Sequence, residues 1–247
     1  MTTDVELLQI EIDTLWLKDD RGRLVNDRGP NGRPAPHLVI AASGGAQIVA
    51  IGCEVPDALA VELRAAVAGE APSTDPAVAP ASLVRYQQLL KDSLGSVEIS
   101  SGPSYVIPPG TAFSSSAEIQ RSDDDNIDAL RDRNPELTWT AEEWQQLVDG
   151  TFGPWALASV GGQVIAICHS ARLTVRAAEA GIWTDPDFRG QGHAAAVTAA
   201  WASLPALSGR VLFYSTSATN FSSQRVAARL NLRPIGWMWQ ISAPRTT

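Results

Sequence analysis

"DFRGQGHAAA", residues 187–196, places an arginine and two glycines directly before an alanine-rich segment that predicts a helix. A glycine lets backbone N–H groups approach a ligand closely because it carries no Cβ. The start of a helix offers unpaired N–H donors and a partial positive charge. Arg189 adds a fixed cation that can bind a phosphate in a forked geometry. The stretch therefore predicts an anion site where a turn meets a helix.

Several kinds of turn share such glycines. A P-loop requires Lys and then Ser or Thr after its second glycine, and the presence of His193 and Ala194 excludes it. Residues 190–195 match the dinucleotide pattern G-x-G-x-x-A, but no acidic residue follows the next predicted strand to bind a ribose. A helix start whose glycines serve only packing is a further alternative.

The segments around the turn follow a β-β-β-α-β-α-β order. The predicted strands are residues 155–160, 163–170, 177–184, 210–217 and 235–242, and the predicted helices are 190–204 and 222–232. Two acidic segments before them, 122–133 and 140–150, also predict helices. Thr140 and Glu143 form a capping-box pattern at the start of the second helix.

The first 110 residues predict an α/β region of their own. Its predicted helices are residues 5–16, 56–70 and 82–94, and its predicted strands are 37–43, 46–55 and 97–108. Gly44–Gly45 predicts a hairpin turn, and Gly102–Pro103 predicts a break in the third strand. The stretch 108–116 marks a boundary between a domain at 1–110 and a domain at 111–247. The first is either a worn second copy of the C-terminal fold or a lid over the acceptor site.

The C-terminal segments resemble the GNAT N-acetyltransferase superfamily, whose signature is Arg/Gln-x-x-Gly-x-Gly/Ala. Here Arg189-Gly-Gln-Gly192-His-Ala194 stands in its place. "AEAGIWTDPDFRGQGHA" (178–194) is similar to the family's fourth strand, its loop and its coenzyme-binding helix. "TNFSSQRVAARLNL" (219–232) is similar to the family segment that runs from an asparagine to Leu-Gly-Phe, with Asn231–Leu232 in place of Gly-Phe.

The resemblance covers residues 116–242 and is strongest over 155–232. It implies an α/β (α+β) fold with a mixed, mostly antiparallel GNAT-type sheet flanked by helices, beside the additional N-terminal α/β region. It also implies acetyl-CoA as the acyl donor. The residues that it assigns to coenzyme binding are Ile182, Trp183, Thr184, Arg189, Gly190, Gln191, Gly192, His193, Ala194 and Asn220. The amides of 191–194 would hold the pyrophosphate, and the edge of strand 180–184 would pair with the pantetheine arm.

Acetyl transfer to an amine requires a neutral nucleophile, and only about one lysine-type amine in a thousand is neutral at pH 7. Glu179, the acid on the strand before the turn and ten residues before Arg189, is the predicted base. A structural salt bridge is its alternative role. The family's usual tyrosine acid is replaced by Ala227, so Tyr214 or Ser223 is the predicted proton donor, unless the thiolate leaves without one.

Charge is unevenly distributed along the chain. The net charge of −8 argues against a nucleic-acid partner. Residues 118–149 carry ten acids and three arginines, a charge of −7, whereas residues 150–247 carry eight arginines and three acids, a charge of +5. The positive part suits a ligand with several phosphates. The acidic part suits a cationic small-molecule amine as the acceptor, or is simply a solvated face.

These patterns predict an N-acetyltransferase that acts by direct attack in a ternary complex. The alternatives are an acyl-CoA-binding regulatory module without catalysis, which Ala227 favours, an enzyme acting on a protein amino group, and a nucleotide-dependent oxidoreductase. Neither a signal peptide nor a membrane span is recognisable, which predicts a cytoplasmic protein. The expected assembly is a monomer or a homodimer. The three histidines lack metal-ligand spacing, so no metal is expected.

Overall fold

The computed structural model describes residues 2–30, 32–125, 127–135 and 139–244. These residues form six α-helices and eleven β-strands. The helices are α1 (Asp4–Leu15), α2 (Asp57–Gly69), α3 (Leu83–Leu94), α4 (Ala141–Val148), α5 (His193–Ala202) and α6 (Phe221–Arg229). The strands are β1 (Trp16–Lys18), β2 (Leu24–Asp27), β3 (Leu38–Ser43), β4 (Ala46–Ile51), β5 (Glu98–Val106), β6 (Glu118–Arg121), β7 (Trp155–Val160), β8 (Gln163–Leu173), β9 (Ala177–Thr184), β10 (Val211–Ser215) and β11 (Arg233–Ser242).

The chain forms two compact units. Unit 1 comprises Met1–Tyr105, Ser215–Asn220 and Pro234–Thr247, and unit 2 comprises Val106–Tyr214 and Phe221–Arg233. The domain boundary predicted between residues 110 and 111 stays a prediction. No helix in the described ranges is both long and apolar enough to cross a bilayer.

Unit 2 is built on five strands in the order β10-β9-β8-β7-β6. Every pairing among them is antiparallel except that of β9 with β10. α4 packs with Trp155 and Ile167 in an apolar cluster on one face of the sheet. Cys168, which alternates with Ile167, points to the other face, where its thiol hydrogen-bonds with Thr198 of α5. The predicted class, a mixed and mostly antiparallel sheet flanked by helices, and the predicted order of elements are confirmed.

Unit 1 holds four strands in the order β4-β3-β11-β5 and a separate β1–β2 pair. Residues of α2 and α3 pack with those of β3 and β11 in one buried core, while α1 contacts β3 and β4. Ser43 pairs with Ala46, which confirms the predicted hairpin at Gly44–Gly45.

Two predicted features of the chain are wrong. β5 runs unbroken through Gly102, because this glycine serves close packing: a Cβ there would lie 1.8 Å from the carbonyl oxygen of Thr216. The helix predicted at 122–133 is also absent from the described residues, which form only a 3₁₀ turn at Asp128–Leu130. Asp124 accepts a hydrogen bond from the Arg121 amide at 2.8 Å, and such local side-chain bonds compete with a helix.

The second acidic helix forms as predicted. α4 begins with a capping box in which the Glu143 amide donates to Thr140 Oγ1 at 3.1 Å. The Thr140 amide donates to Glu143 Oε2 at 2.9 Å. The exchange satisfies two N–H groups that a helix start otherwise leaves unpaired.

Candidate active site

β9 and β10 diverge after a short parallel pairing. Their register covers Val211↔Ala177, Leu212↔Ala178 and Phe213↔Glu179 and ends there. β9 continues to Thr184 with β8 along its other edge. A register shift between Ser170 and Arg172 of β8 lies opposite this point, and such a bulge bends the strand. The pairing of β9 with β10 therefore stops at Glu179, opposite the irregularity in β8, and β9 continues with β8 as its paired neighbour.

The turn between β9 and α5 has the backbone geometry of an anion site. Gly190 and Gly192 have φ values of +80° and +95°, a region that favours glycine. Gly192 is the N-cap of α5, so no cap side chain satisfies the amides of the first turn. The N–H groups of His193 and Ala194 therefore lie at an uncapped helix start, a geometry that suits an anion.

Side chains from distant segments hold this turn. His193 is 3% exposed, and its Nδ1 lies 2.8 Å from Ser115 Oγ. A Cβ on Gly192 would lie 3.1 Å from the ring of Phe113, which therefore covers this glycine. Arg229 Nη2 donates to the Gly190 carbonyl at 3.1 Å. No sequence pattern indicates Phe113, Ser115 or Arg229, because only tertiary packing brings them to the turn.

Two predicted coenzyme ligands donate side-chain hydrogen bonds to backbone carbonyls near the turn. Arg189 Nε donates to the Thr184 carbonyl at 3.2 Å, and Gln191 Nε2 donates to the Asp187 carbonyl at 3.4 Å. Ile182 and Trp183 lie with Thr184 on the part of β9 beyond its pairing with β10.

A cavity of about 560 Å³ lies within unit 2, beside the end of β9. It is lined by Asp132, Arg133, Asn134, Pro135, Gly162, Gln163, Val164, Trp183, Asp185, Pro186 and Arg189. Trp183 also packs against the apolar cluster beneath α4. The cavity thus combines an indole wall with two carboxylates and two guanidinium groups.

Glu179 lies where the pairing of β9 with β10 ends. It is 3% exposed and is the last residue of β9 that pairs with β10. Strand alternation places it on the same face as Gly181 and Trp183. Its partner in the β8 register is Arg172. Its two predicted roles, general base and structural ion pair, both stay predictions.

His169, which no sequence motif indicates, lies on the same face as Glu179. It is the β8 partner of Gly181, where a Cβ would lie 2.6 Å from His169 Cε1. Its ring meets that of Trp139 edge-on, with centroids 5.4 Å apart. Burial, aided by the charge of Arg172, lowers the pKa of His169 to about 4, against the opposing effect of a hydrogen bond with the Gly181 backbone. His169 is therefore neutral at pH 7. Only the β8–β9 register, which the sequence does not reveal, brings it here.

The two candidate proton donors form one hydrogen-bonded pair. Tyr214 is 2% exposed, and its hydroxyl lies 2.7 Å from Ser223 Oγ and 3.0 Å from the Ser223 carbonyl oxygen. Since Phe213 pairs with Glu179, the next residue, Tyr214, points to the opposite face of the sheet. Ala227 is buried and offers no hydroxyl. Asn220 is exposed, directly precedes α6 and belongs to unit 1.

Comparison with known families assigns the class of protein. Residues 111–233 match the sequence profile of the GNAT acetyltransferase domain. Over this segment, about half of its length, the chain belongs to the GNAT acetyltransferase family. Members of this family transfer acyl groups from acetyl-CoA, so the protein is a transferase of that class.

Similar solved structures include two members of this superfamily. An acetyltransferase from the GNAT family of Colwellia psychrerythraea shares 19% identity, with 66% of this chain and 63% of that chain covered and a TM-score of 0.45. A GCN5-related N-acetyltransferase from Kribbella flavida shares 16% identity, with coverages of 67% and 65% and a TM-score of 0.43. A Drosophila melanogaster protein aligns with 98% of this chain and 87% of its own, at 16% identity and a TM-score of 0.46. No curated protein matches the sequence.

Proposed function

We propose that this protein is an acetyl-CoA-dependent N-acetyltransferase that acetylates a primary amine on a small cationic molecule. The observation that carries the proposal is the separation of β9 from β10 after Glu179, on the strand that leads into the glycine turn. Bound acetyl-CoA supplies the thioester carbonyl that the amine attacks. The attack is direct, in a ternary complex, and no acyl-enzyme forms.

The coenzyme side of the site consists largely of backbone groups. The amides of residues 191–194 bind the diphosphate, assisted by the positive end of α5. The edge of β9 at 182–184 binds an amide-bearing arm as an added strand would. Arg189 contributes a cation, whereas the role of Asn220 stays a prediction.

Protons move on opposite faces of the sheet. Glu179 accepts a proton from the incoming amine, directly or through one water, so that the nitrogen lone pair is free to form the C–N bond. As the C–S bond breaks, the Tyr214–Ser223 pair donates a proton or a hydrogen bond toward the departing sulfur. The proton gained at Glu179 then passes to solvent. After the C–N bond has formed, the nitrogen loses its second proton to solvent, directly or through Glu179, and solvent returns to the Tyr214–Ser223 pair any proton that it gave to the sulfur.

The cavity beside β9 is proposed to bind the acceptor. Its volume, about 560 Å³, is within the usual range for small-molecule sites. Asp132 and Asp185 offer carboxylates to a cationic amine, and Trp183 provides an apolar wall that can also bind a cation through its ring. Trp183 shares a sheet face with Glu179, which orients the bound amine toward the base.

The test combines binding with turnover. Calorimetry with acetyl-CoA should show binding in the micromolar range, and a panel of small amines should include one that releases free thiol and gains one acetyl group by mass. If acetyl-CoA binds but neither small amines nor peptide N-termini release free thiol, a non-catalytic coenzyme-binding module is favoured. The observation that supports this alternative is Ala227, which offers no hydroxyl as a proton donor. No binding would refute both functions.

A further inference from the structure

We propose that Arg229, the last residue of α6, is a second cationic ligand of the coenzyme diphosphate. This residue lies outside the glycine signature, which supplies only Arg189. The inference depends on the proposed function, because the anion in question is that of coenzyme A.

The guanidinium of Arg229 spans both glycines of the turn. Its Nη2 donates to the Gly190 carbonyl oxygen at 3.1 Å. Its Nη1 lies 3.6 Å from the point that a Cβ of Gly192 would occupy. One hydrogen bond thus fixes the group beside the backbone that faces the anion. Arginine has five N–H donors, so this bond leaves others for phosphate oxygens.

The electrostatic setting supports a ligand role. In the ranges that the structure describes, no carboxylate forms an ion pair with Arg229, and its side chain is exposed. A purely structural arginine would gain more from a local acid. Arg229 instead places its charge next to an uncapped helix start, where two positive groups would repel each other until an anion arrives.

Phe113 lies beside the same glycine, Gly192. Its ring would lie 3.1 Å from a Cβ of Gly192, and it is 36% exposed. The ring and the guanidinium thus both lie beside Gly192, at the start of α5. Arg229 and Phe113 therefore act on one anion site from different segments of unit 2.

The experiment compares Arg229→Gln with Arg225→Gln. Arg225 is an exposed arginine of the same helix, one turn earlier, so its replacement removes an equal charge while leaving the hydrogen bond between Arg229 and Gly190 in place. Affinity for coenzyme A is measured by calorimetry at two salt concentrations. Arg229→Gln should weaken binding roughly tenfold and flatten the salt dependence. Arg225→Gln should change affinity by no more than about twofold, and Arg229→Lys should recover part of the loss.

A second probe, coenzyme A without its 3′-phosphate, identifies the group that is bound. An equal loss of affinity for both probes supports the diphosphate assignment, whereas a loss seen only with the intact coenzyme overturns it. Unchanged affinity of Arg229→Gln, with wild type binding normally, overturns the role of Arg229. Failure of wild type to bind refutes the proposed function instead. The melting temperatures of the variants without ligand show whether a substitution damages the fold. If the loss of affinity is fully explained by a lower melting temperature, the ligand role of Arg229 is also overturned.

Discussion

At the scale of single residues, Glu179 makes the sharpest prediction. The side chain is 3% exposed and lies at the last pair before β9 leaves β10. Replacing it with glutamine keeps the shape but removes the basic oxygen. Glu179→Gln should lower the rate of acetyl transfer about 100-fold or more, because a positioned base contributes that much. Affinity for acetyl-CoA should stay within about twofold, since the coenzyme contacts lie elsewhere.

The matched control is Glu118→Gln, which neutralises an exposed glutamate at the start of β6. Thiol release under saturating amine reports the rate, and calorimetry reports the affinity. Equal rates for wild type and Glu179→Gln would assign Glu179 the structural ion-pair role with its register partner Arg172.

His169 predicts a pH dependence of stability. Burial lowers its pKa from the usual 6.5 to about 4 in the folded protein, while the unfolded chain retains the usual value. Between pH 6.5 and about 4 the unfolded state therefore binds more protons, so the stability of the fold decreases as the pH falls. At about 1.4 kcal/mol per unit, His169 accounts for a loss of up to about 3 kcal/mol across this window.

His169→Gln removes the titration, so this variant should lose less stability than wild type between pH 7 and pH 4.5. Urea unfolding at each pH gives the free energy of unfolding of wild type and of the variant. The change between the two pH values is then compared between the two proteins, so that the contribution of the carboxylates that they share cancels. A variant with the same pH dependence as wild type would show that His169 titrates normally in the fold.

At the scale of elements, the two turn glycines should respond differently to alanine. Both have positive φ, so each substitution strains the backbone by about 1 kcal/mol. A Cβ at Gly190 meets no atom within 4 Å, whereas one at Gly192 lies 3.1 Å from the Phe113 ring. Gly192→Ala should therefore weaken coenzyme binding more, since Phe113 or the turn must move.

Thermal melting and calorimetry on both glycine variants measure this difference. Adding Phe113→Leu to Gly192→Ala should restore part of the affinity, because the smaller side chain can give way. If Gly190→Ala is the more damaging change, the amide next to Gly190, rather than the start of α5, is the main anion contact.

The turn was predictable because its chemistry is local: glycine conformation, a helix start and an adjacent arginine are all visible within ten residues. The helix predicted at 122–133 does not form, and the reason is equally local. The Asp124 side chain accepts a hydrogen bond from the Arg121 amide, and such local side-chain bonds compete with a helix. The bulge between Ser170 and Arg172 has no such signature, because the apolar run of β8 does not alternate and so an extra strand residue leaves no mark in it.

At the scale of the whole molecule, the order of strands and helices in the C-terminal half followed from the sequence. The long-range residue pairs at the candidate site could not be predicted from the sequence. Ser115 with His193, and Arg229 with Gly190, join residues 78 and 39 positions apart. Such pairs depend on how α6 and the segment before β6 pack against the turn, which no periodicity encodes. The roles of N-terminal residues 1–110 stay predictions for the same reason.

Charge distribution over the whole chain yields the last prediction. The net charge is −8, yet residues 150–247 carry +5. At 0.1 M salt the screening length is about 10 Å, so a bound polyanion interacts mainly with nearby arginines and little with distant acids. Raising the salt from about 0.1 M to 0.5 M should therefore weaken coenzyme A binding several-fold. S-acetylpantetheine, which lacks the diphosphate, should bind with no salt dependence. Tighter coenzyme binding at high salt would mean that repulsion from the acidic surface dominates and that the local positive surplus does not guide the ligand.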